Sequence, residues 1–304
     1  MIGTLFRSAP RAVVLLAFVL AACSGRAEAP PKIAGPGSPP ALTLPSPPSV
    51  DLAEVLDYAR RASAAYGDET TIRAAVGPEP TLTVANLPGV DVRAFVEVDE
   101  ARHVQWVAVR GTANLENAAE DADYTKVPSR DLGIPVHVGF LNDARAVWSF
   151  ARPLLRPGLE TRITGHSLGG ALAVLLAMRL RVDGLPLGHV ITFGQPKVTT
   201  EEGVARFRDL PVLRVVNDED PVPLLPWETP GATIGGFYRH LGQELHLTNR
   251  GTFDLFPERR AEGFLLTSFV AHLGRELPRE HEIARYLGRI ETLLAPHASP
   301  GGPR

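Results

Sequence analysis

Glu160-Thr161-Arg162-Ile163-Thr164-Gly165-His166-Ser167-Leu168-Gly169-Gly170 decides how this chain is read. Residues Glu160 to Thr164 have strand character, and an apolar stretch of helical character follows from Leu168 to Val182. Between them Gly165-x-Ser167-x-Gly169 has the spacing of a nucleophile elbow, a sharp turn that lifts a serine hydroxyl out of a sheet. The spacing is steric in origin: a strand that reverses into a helix brings its backbones too close for a side chain two residues either side of the serine. The first N–H groups of the helix have no intrahelical acceptor and lie at the positive end of its dipole, so an oxyanion there is stabilised. Ser167 is therefore the candidate nucleophile, and the Leu168 N–H a candidate oxyanion donor.

Working outward, Val92 to Val98 and His103 to Val109 are β-rich runs separated by Asp99-Glu100-Ala101-Arg102, which predicts a hairpin. Ahead of them, Leu52, Val55, Leu56, Ala59, Ala62, Ala65 and Tyr66 recur at helical spacing, with Ser49 or Asp51 available as a cap. Ala144, Val147, Trp148, Ala151 and Leu155 mark another helix against the sheet, and His189 to Phe193 and Val212 to Val216 read as buried strands. Thr199 and Glu202 are spaced as a capping box for a short helix, and Tyr238 to His240 with Glu244 to Leu247 suggest a further hairpin. The second of these strands, Val212 to Val216, runs into a loop with three acids, Asp218, Glu219 and Asp220, any of which could serve a histidine in the chain order serine, acid, histidine. His272 and His281 are the histidines left for that role, because His297 lies in a Pro/Gly-rich tail.

Val107-Ala108-Val109-Arg110-Gly111-Thr112, Val136-His137-Val138-Gly139-Phe140, the elbow, and Gly194-Gln195-Pro196 occur in one order that resembles the class 3 lipase family. The resemblance spans roughly residues 80 to 290. It implies an α/β-hydrolase fold, a central mostly parallel sheet flanked by helices. It also implies a serine carboxylic ester hydrolase that needs neither metal nor organic cofactor. The family's aspartate-x-Val-Pro pattern selects Asp220. Its C-terminal D-H-x-x-x-x-Y segment is similar to Glu280-His281 with Tyr286 further on, glutamate replacing aspartate, and selects His281 over His272. The backbone N–H of Thr112, after the Arg-Gly pair, is implied as the second oxyanion donor beside Leu168. The expected function is hydrolysis of lipid carboxylic esters, acylglycerols or related esters, by a Ser167–Asp220–His281 triad. A phospholipase or an acyltransferase on the same site, or a lipid-binding lipoprotein without catalysis, is the alternative.

Where fungal members of that family carry a lid, Leu115, Ala118, Ala119 and Ala122 fall at i, i+3, i+4 and i+7. Three alanines and a leucine bury little area, so weak closure and little activation at an oil surface are expected.

The N-terminus has a separate logic. Arg7 and Arg11 precede an apolar run, Ala12 to Ala22, too short to span a bilayer but the size of a signal-peptide core. It ends in Leu20-Ala21-Ala22-Cys23, which resembles the lipobox of bacterial lipoproteins and implies lipidation of Cys23. Residues 1–22 read as a signal peptide of that type. Residues 23–49 read as a tether, since eight of the 28 prolines fall between Pro30 and Pro48 in a stretch with little to bury. Residues 50–295 read as the catalytic domain and 296–304 as a disordered tail. The expected product is an exported monomer anchored to a bacterial outer membrane or cell surface. A net charge of −3 gives no footprint for nucleic acid, and one cysteine among nine histidines excludes a disulfide framework.

Overall fold

The computed structural model describes residues 50–112, 125–226, 236–257 and 279–295. The signal peptide, Cys23, the tether, the lid stretch from 113 to 124, His272 and the tail lie outside the described residues.

Helix α1 (Leu52–Ala64) starts where expected, capped by Asp51, whose carboxylate accepts the N–H groups of Ala53 and Glu54. A short α2 (Glu69–Val76) follows, and then β1 (Thr81–Leu87), β2 (Val92–Asp99) and β3 (Val104–Val109) form an antiparallel meander. From β3 onward the sheet turns parallel. β3 pairs with β6 (Glu160–His166), β6 with β7 (Leu187–Phe193), β7 with β9 (Val212–Asn217) and β9 with β11 (Gln243–Leu247). β12 (Phe253–Phe256) closes the edge antiparallel to β11.

Both faces of this eight-stranded sheet are covered. On one, α3 (Val138–Ala151) and α4 (Leu168–Val182) pack on Val96, Val107, Ile163 and Val190. On the other, α1 and α6 (Ile283–Leu294) pack on Ile191, Phe193, Val215 and Leu245. Strands buried on both faces, with helices as crossovers, are the consequence of parallel pairing. The arrangement is the α/β-hydrolase fold.

A second, four-stranded sheet joins β4 (Lys126–Ser129), β5 (Ile134–His137), β8 (Thr199–Thr200) and β10 (Tyr238–Arg239). It corrects two local expectations. Tyr238–His240 and Glu244–Leu247 are not a hairpin: β10 pairs with β8, the chain turns at Gly242 (φ +85°), and β11 joins the main sheet beside β9. Thr199 does not cap the next helix either. It lies in β8 with its hydroxyl on the Pro135 carbonyl, so helix α5 (Glu201–Phe207) starts after Thr200 without a side-chain cap.

The β9–β11 pair buries charge. Arg214 donates to Glu244 at 3.0 Å, and Glu244 lies 3.6 Å from His246 Nδ1, whose Nε2 is 3.0 Å from Asp218. Glu244 and then Asp218, against partial burial, raise the His246 pKa above its usual value. A histidine raised in the folded state contributes stability that is complete below about pH 6.5 and is lost as pH rises through the folded value. Thermal melts between pH 5.5 and pH 9 should therefore show a steeper decline for the wild type than for His246→Gln. The pH-dependent difference between them should be about 1 kcal/mol or less, because the ring is partly solvated. Parallel curves would refute the assignment.

Candidate active site

The elbow is built as its glycines require. Ser167 stands at φ 59° and ψ −129°, rare for a residue with a side chain, and its N–H donates to the Phe193 carbonyl at 2.9 Å. A methyl group at Gly165 would overlap the Gly169 carbonyl, and one at Gly169 would overlap the Val109 carbonyl at the end of β3. A Cβ at Gly111 would lie 2.7 Å from the His166 carbonyl oxygen and 2.9 Å from Ser167 Cβ. The Arg110-Gly111-Thr112 exit of β3 therefore abuts the serine, and Thr112 is the next residue along it. Leu168 opens helix α4, so its N–H is among those left without an intrahelical acceptor.

Asp220 and His281 meet across 61 residues of sequence. Asp220 sits in the loop after β9, and His281 ends a single 3₁₀ turn (Arg279–His281) just before α6. His281 Nδ1 lies 2.9 Å and 3.0 Å from the two Asp220 oxygens, and both side chains are almost fully buried. The carboxylate also accepts the Val222 N–H at 2.9 Å and the Tyr286 hydroxyl. Burial and then the Asp220 charge push the Tyr286 pKa well above its ordinary value, so Tyr286 stays a donor. A Cβ at Gly194 would lie 2.9 Å from Asp220 and 3.0 Å from His281 Nδ1, which is why the Gly194-Gln195-Pro196 turn can pass here without a side chain.

Ser167 Oγ and His281 Nε2 are both buried and without a hydrogen-bond partner. A hydroxyl can donate a proton, and an imidazole whose Nδ1 faces a carboxylate can accept one at Nε2.

The competing acids are occupied elsewhere. Asp218 holds His246 and the Asn249 N–H, and Glu219 accepts the Asn249 amide. Glu280, where the family has aspartate, pairs with Arg289 at 2.5 Å, leaving Asp220 as the carboxylate on the histidine. His240 donates to the Pro223 carbonyl.

Two tyrosines have partners that periodicity does not show. Tyr286, the tyrosine of the family-like segment after His281, donates to Asp220, and Tyr66, which reads as the last apolar position of the first helix, reaches the elbow histidine His166. Their hydroxyls distinguish them from a phenylalanine at the same spacing, which periodicity cannot show.

Comparison with known proteins finds lipases. The chain is 31% identical over 229 residues to secreted mono- and diacylglycerol lipase 1 of Fusarium solani, covering 65% of this chain and 64% of that protein. It is 32% identical over 173 residues to a lipase of Rhizomucor miehei, covering 52% and 46% respectively. The chain thus spans less than two thirds of the length of either relative. Among solved structures, the lipase of Rhizopus microsporus var. chinensis superposes with a TM-score of 0.59 at 24% identity, covering 82% of this chain and 91% of that one. Residues 106–229, from β3 through the elbow and past the Asp220 loop, match the lipase (class 3) family.

Proposed function

We propose that the protein is a serine esterase of the class 3 lipase type that hydrolyses carboxylic esters of lipids, acylglycerols first among them. One observation carries the reading: a buried histidine held on a buried carboxylate by Nδ1, with its Nε2 and the elbow hydroxyl both unpaired. In this reading Ser167 Oγ attacks the ester carbonyl carbon while His281 Nε2 takes its proton. The new oxyanion is held by the N–H groups of Leu168 and Thr112. Collapse of the intermediate breaks the ester C–O bond, and the leaving alkoxide recovers the proton from His281. Water then repeats the cycle on the acyl-enzyme and releases the carboxylic acid. Asp220 holds the imidazole in the tautomer that leaves Nε2 free and stabilises the imidazolium.

The substrate preference is tested with esters of increasing acyl length, followed through their solubility limits. Turnover of mono- and diacylglycerols with a smooth dependence on concentration supports the reading and agrees with a weak lid. A steep rise at the solubility limit would refute the weak lid, and turnover confined to water-soluble acetates would refute the lipid substrate.

The same proposal covers placement. The chain is exported, residues 23–49 are the tether with the acyl anchor on Cys23, and 50–295 form a catalytic monomer at the membrane surface. The lipobox-like run and the proline density support it, and the Fusarium solani relative is a secreted lipase. Cys23→Ser should move the activity from the membrane fraction to the soluble fraction.

A further inference from the structure

A second buried imidazole lies beside the proposed triad and takes no part in the steps above. His166 is 5% exposed, and its ring centroid is 4.6 Å from that of His281 at a tilt of 35°. Its Nε2 is 2.6 Å from the carbonyl oxygen of His281. A carbonyl only accepts, so the proton of His166 is on Nε2. Nδ1 is then a bare lone pair in the neutral ring, and the Tyr66 hydroxyl reaches it at 2.8 Å. Tyr66 donates in turn, because an Nδ1 without a proton can only accept from the phenol.

The groups that face His166 come from separate segments. They are Tyr66 from just after α1, His281 from the turn before α6, and Tyr286 from α6 at 6.0 Å, while the Gly111 backbone and Arg110 from the exit of β3 act on Tyr66. Asp220 lies beyond His281, on the far side of its Nδ1. No carboxylate among the described residues touches the His166 ring. Burial and then the nearby His281 push its pKa well below the usual value.

We propose that Tyr66 and His166 are a positioning pair for His281. His166 fixes the His281 backbone through its carbonyl, and Tyr66 occupies the nitrogen at which His166 would otherwise take a second proton. The inference rests on His281 being the base. A base that must turn cationic during each turnover is opposed by a like charge at this separation, so its neighbour has to remain neutral. Tyr66 is the device that does this, because a hydroxyl donating to Nδ1 favours the unprotonated ring.

The test uses the full chain and a water-soluble short-chain ester, with kcat and KM followed from pH 5.5 to pH 9. His166→Ala should lower kcat roughly 10- to 100-fold with KM changed less than about twofold. His166→Gln, whose Nε2–H can reach the same carbonyl, should recover a large part of the loss. Tyr66→Phe keeps the ring and removes the donor, so its defect should grow toward acid. The midpoint of its acid limb should move up by about half a unit or more. A Tyr66→Phe profile parallel to wild type at every pH would overturn the role of Tyr66, and His166→Gln no better than a folded His166→Ala would overturn that of His166. If His166→Ala does not fold, the Tyr66→Phe profile decides alone. Ser167→Ala separates the two levels: if it retains activity the triad reading fails, and if it is inactive while Tyr66→Phe runs parallel to wild type only the pair fails.

Discussion

Ser167→Ala will lower ester hydrolysis by about 10³-fold or more and will leave the protein at least as stable as before. The two halves of this expectation come from the same atom. Ser167 Oγ is buried and makes no hydrogen bond in the resting structure, so its removal leaves no partner stranded, and a buried unpaired hydroxyl costs stability. Alanine has no more difficulty than serine at φ 59°, since both carry one Cβ. Thermal melts and the hydrolysis of a chromogenic ester, measured on the same preparation, check both halves. Loss of activity together with a large drop in melting temperature would mean that Ser167 is structural. Full activity would remove it from the mechanism.

Asp220→Asn is expected to lower kcat by roughly 10³- to 10⁴-fold with the fold retained. The amide is isosteric with the carboxylate, but Val222 and Tyr286 donate to different carboxylate oxygens, so its one oxygen keeps only one of those two hydrogen bonds. What changes is the face turned to His281. A carboxylate can only accept, which puts the imidazole proton on Nδ1 and leaves Nε2 bare, whereas an amide NH₂ donates to Nδ1 and drives the proton to Nε2. A histidine in that tautomer cannot take the serine proton. Asp218→Asn and Glu219→Gln provide the contrast, because their side chains are engaged with His246 and Asn249. Each should retain activity within about threefold of wild type, as expected for groups that do not touch the base. Asp218→Asn falling as far as Asp220→Asn would move the acid to position 218.

The features that could be read from the sequence are those in which local chemistry and global fold make the same demand. Gly165 and Gly169 are required by contacts with the Gly169 and Val109 carbonyls, so the elbow is legible as spacing alone. The β2–β3 hairpin and the strands ending at Phe193 and Asn217 are legible because buried strands are continuous apolar runs. The four-stranded sheet was not legible, since β8 and β10 are two residues each and have no period to detect. Nor was the fate of Glu244: its alternation with Leu245 reads as a strand with one wet face, yet it is buried on Arg214. At the site, the spacing gives the candidate nucleophile and the chain order expected of its partners. The choice of Asp220 and His281 rested on family resemblance, because a loop with three acids and a C-terminal segment with two histidines contain no spacing rule that decides. Tyr66 and His166 were out of reach for a related reason: their link joins residues 100 positions apart.

The packing of α6 against α1, through Tyr286 and Ile290 on Tyr58 and Val55, has a consequence in time. His281 and Tyr286 come from the last described segment, the turn Arg279–His281 and α6 after it, whereas Ser167 and Asp220 lie at the ends of strands that pair before it. A chain made from its N-terminus can therefore form the elbow, its sheet and the carboxylate well before it has a base. On the proposed triad, the serine has no proton acceptor until α6 has docked. If the proposed function holds, the esterase is inert until its last helix is in place, and becomes active only when its fold is finished.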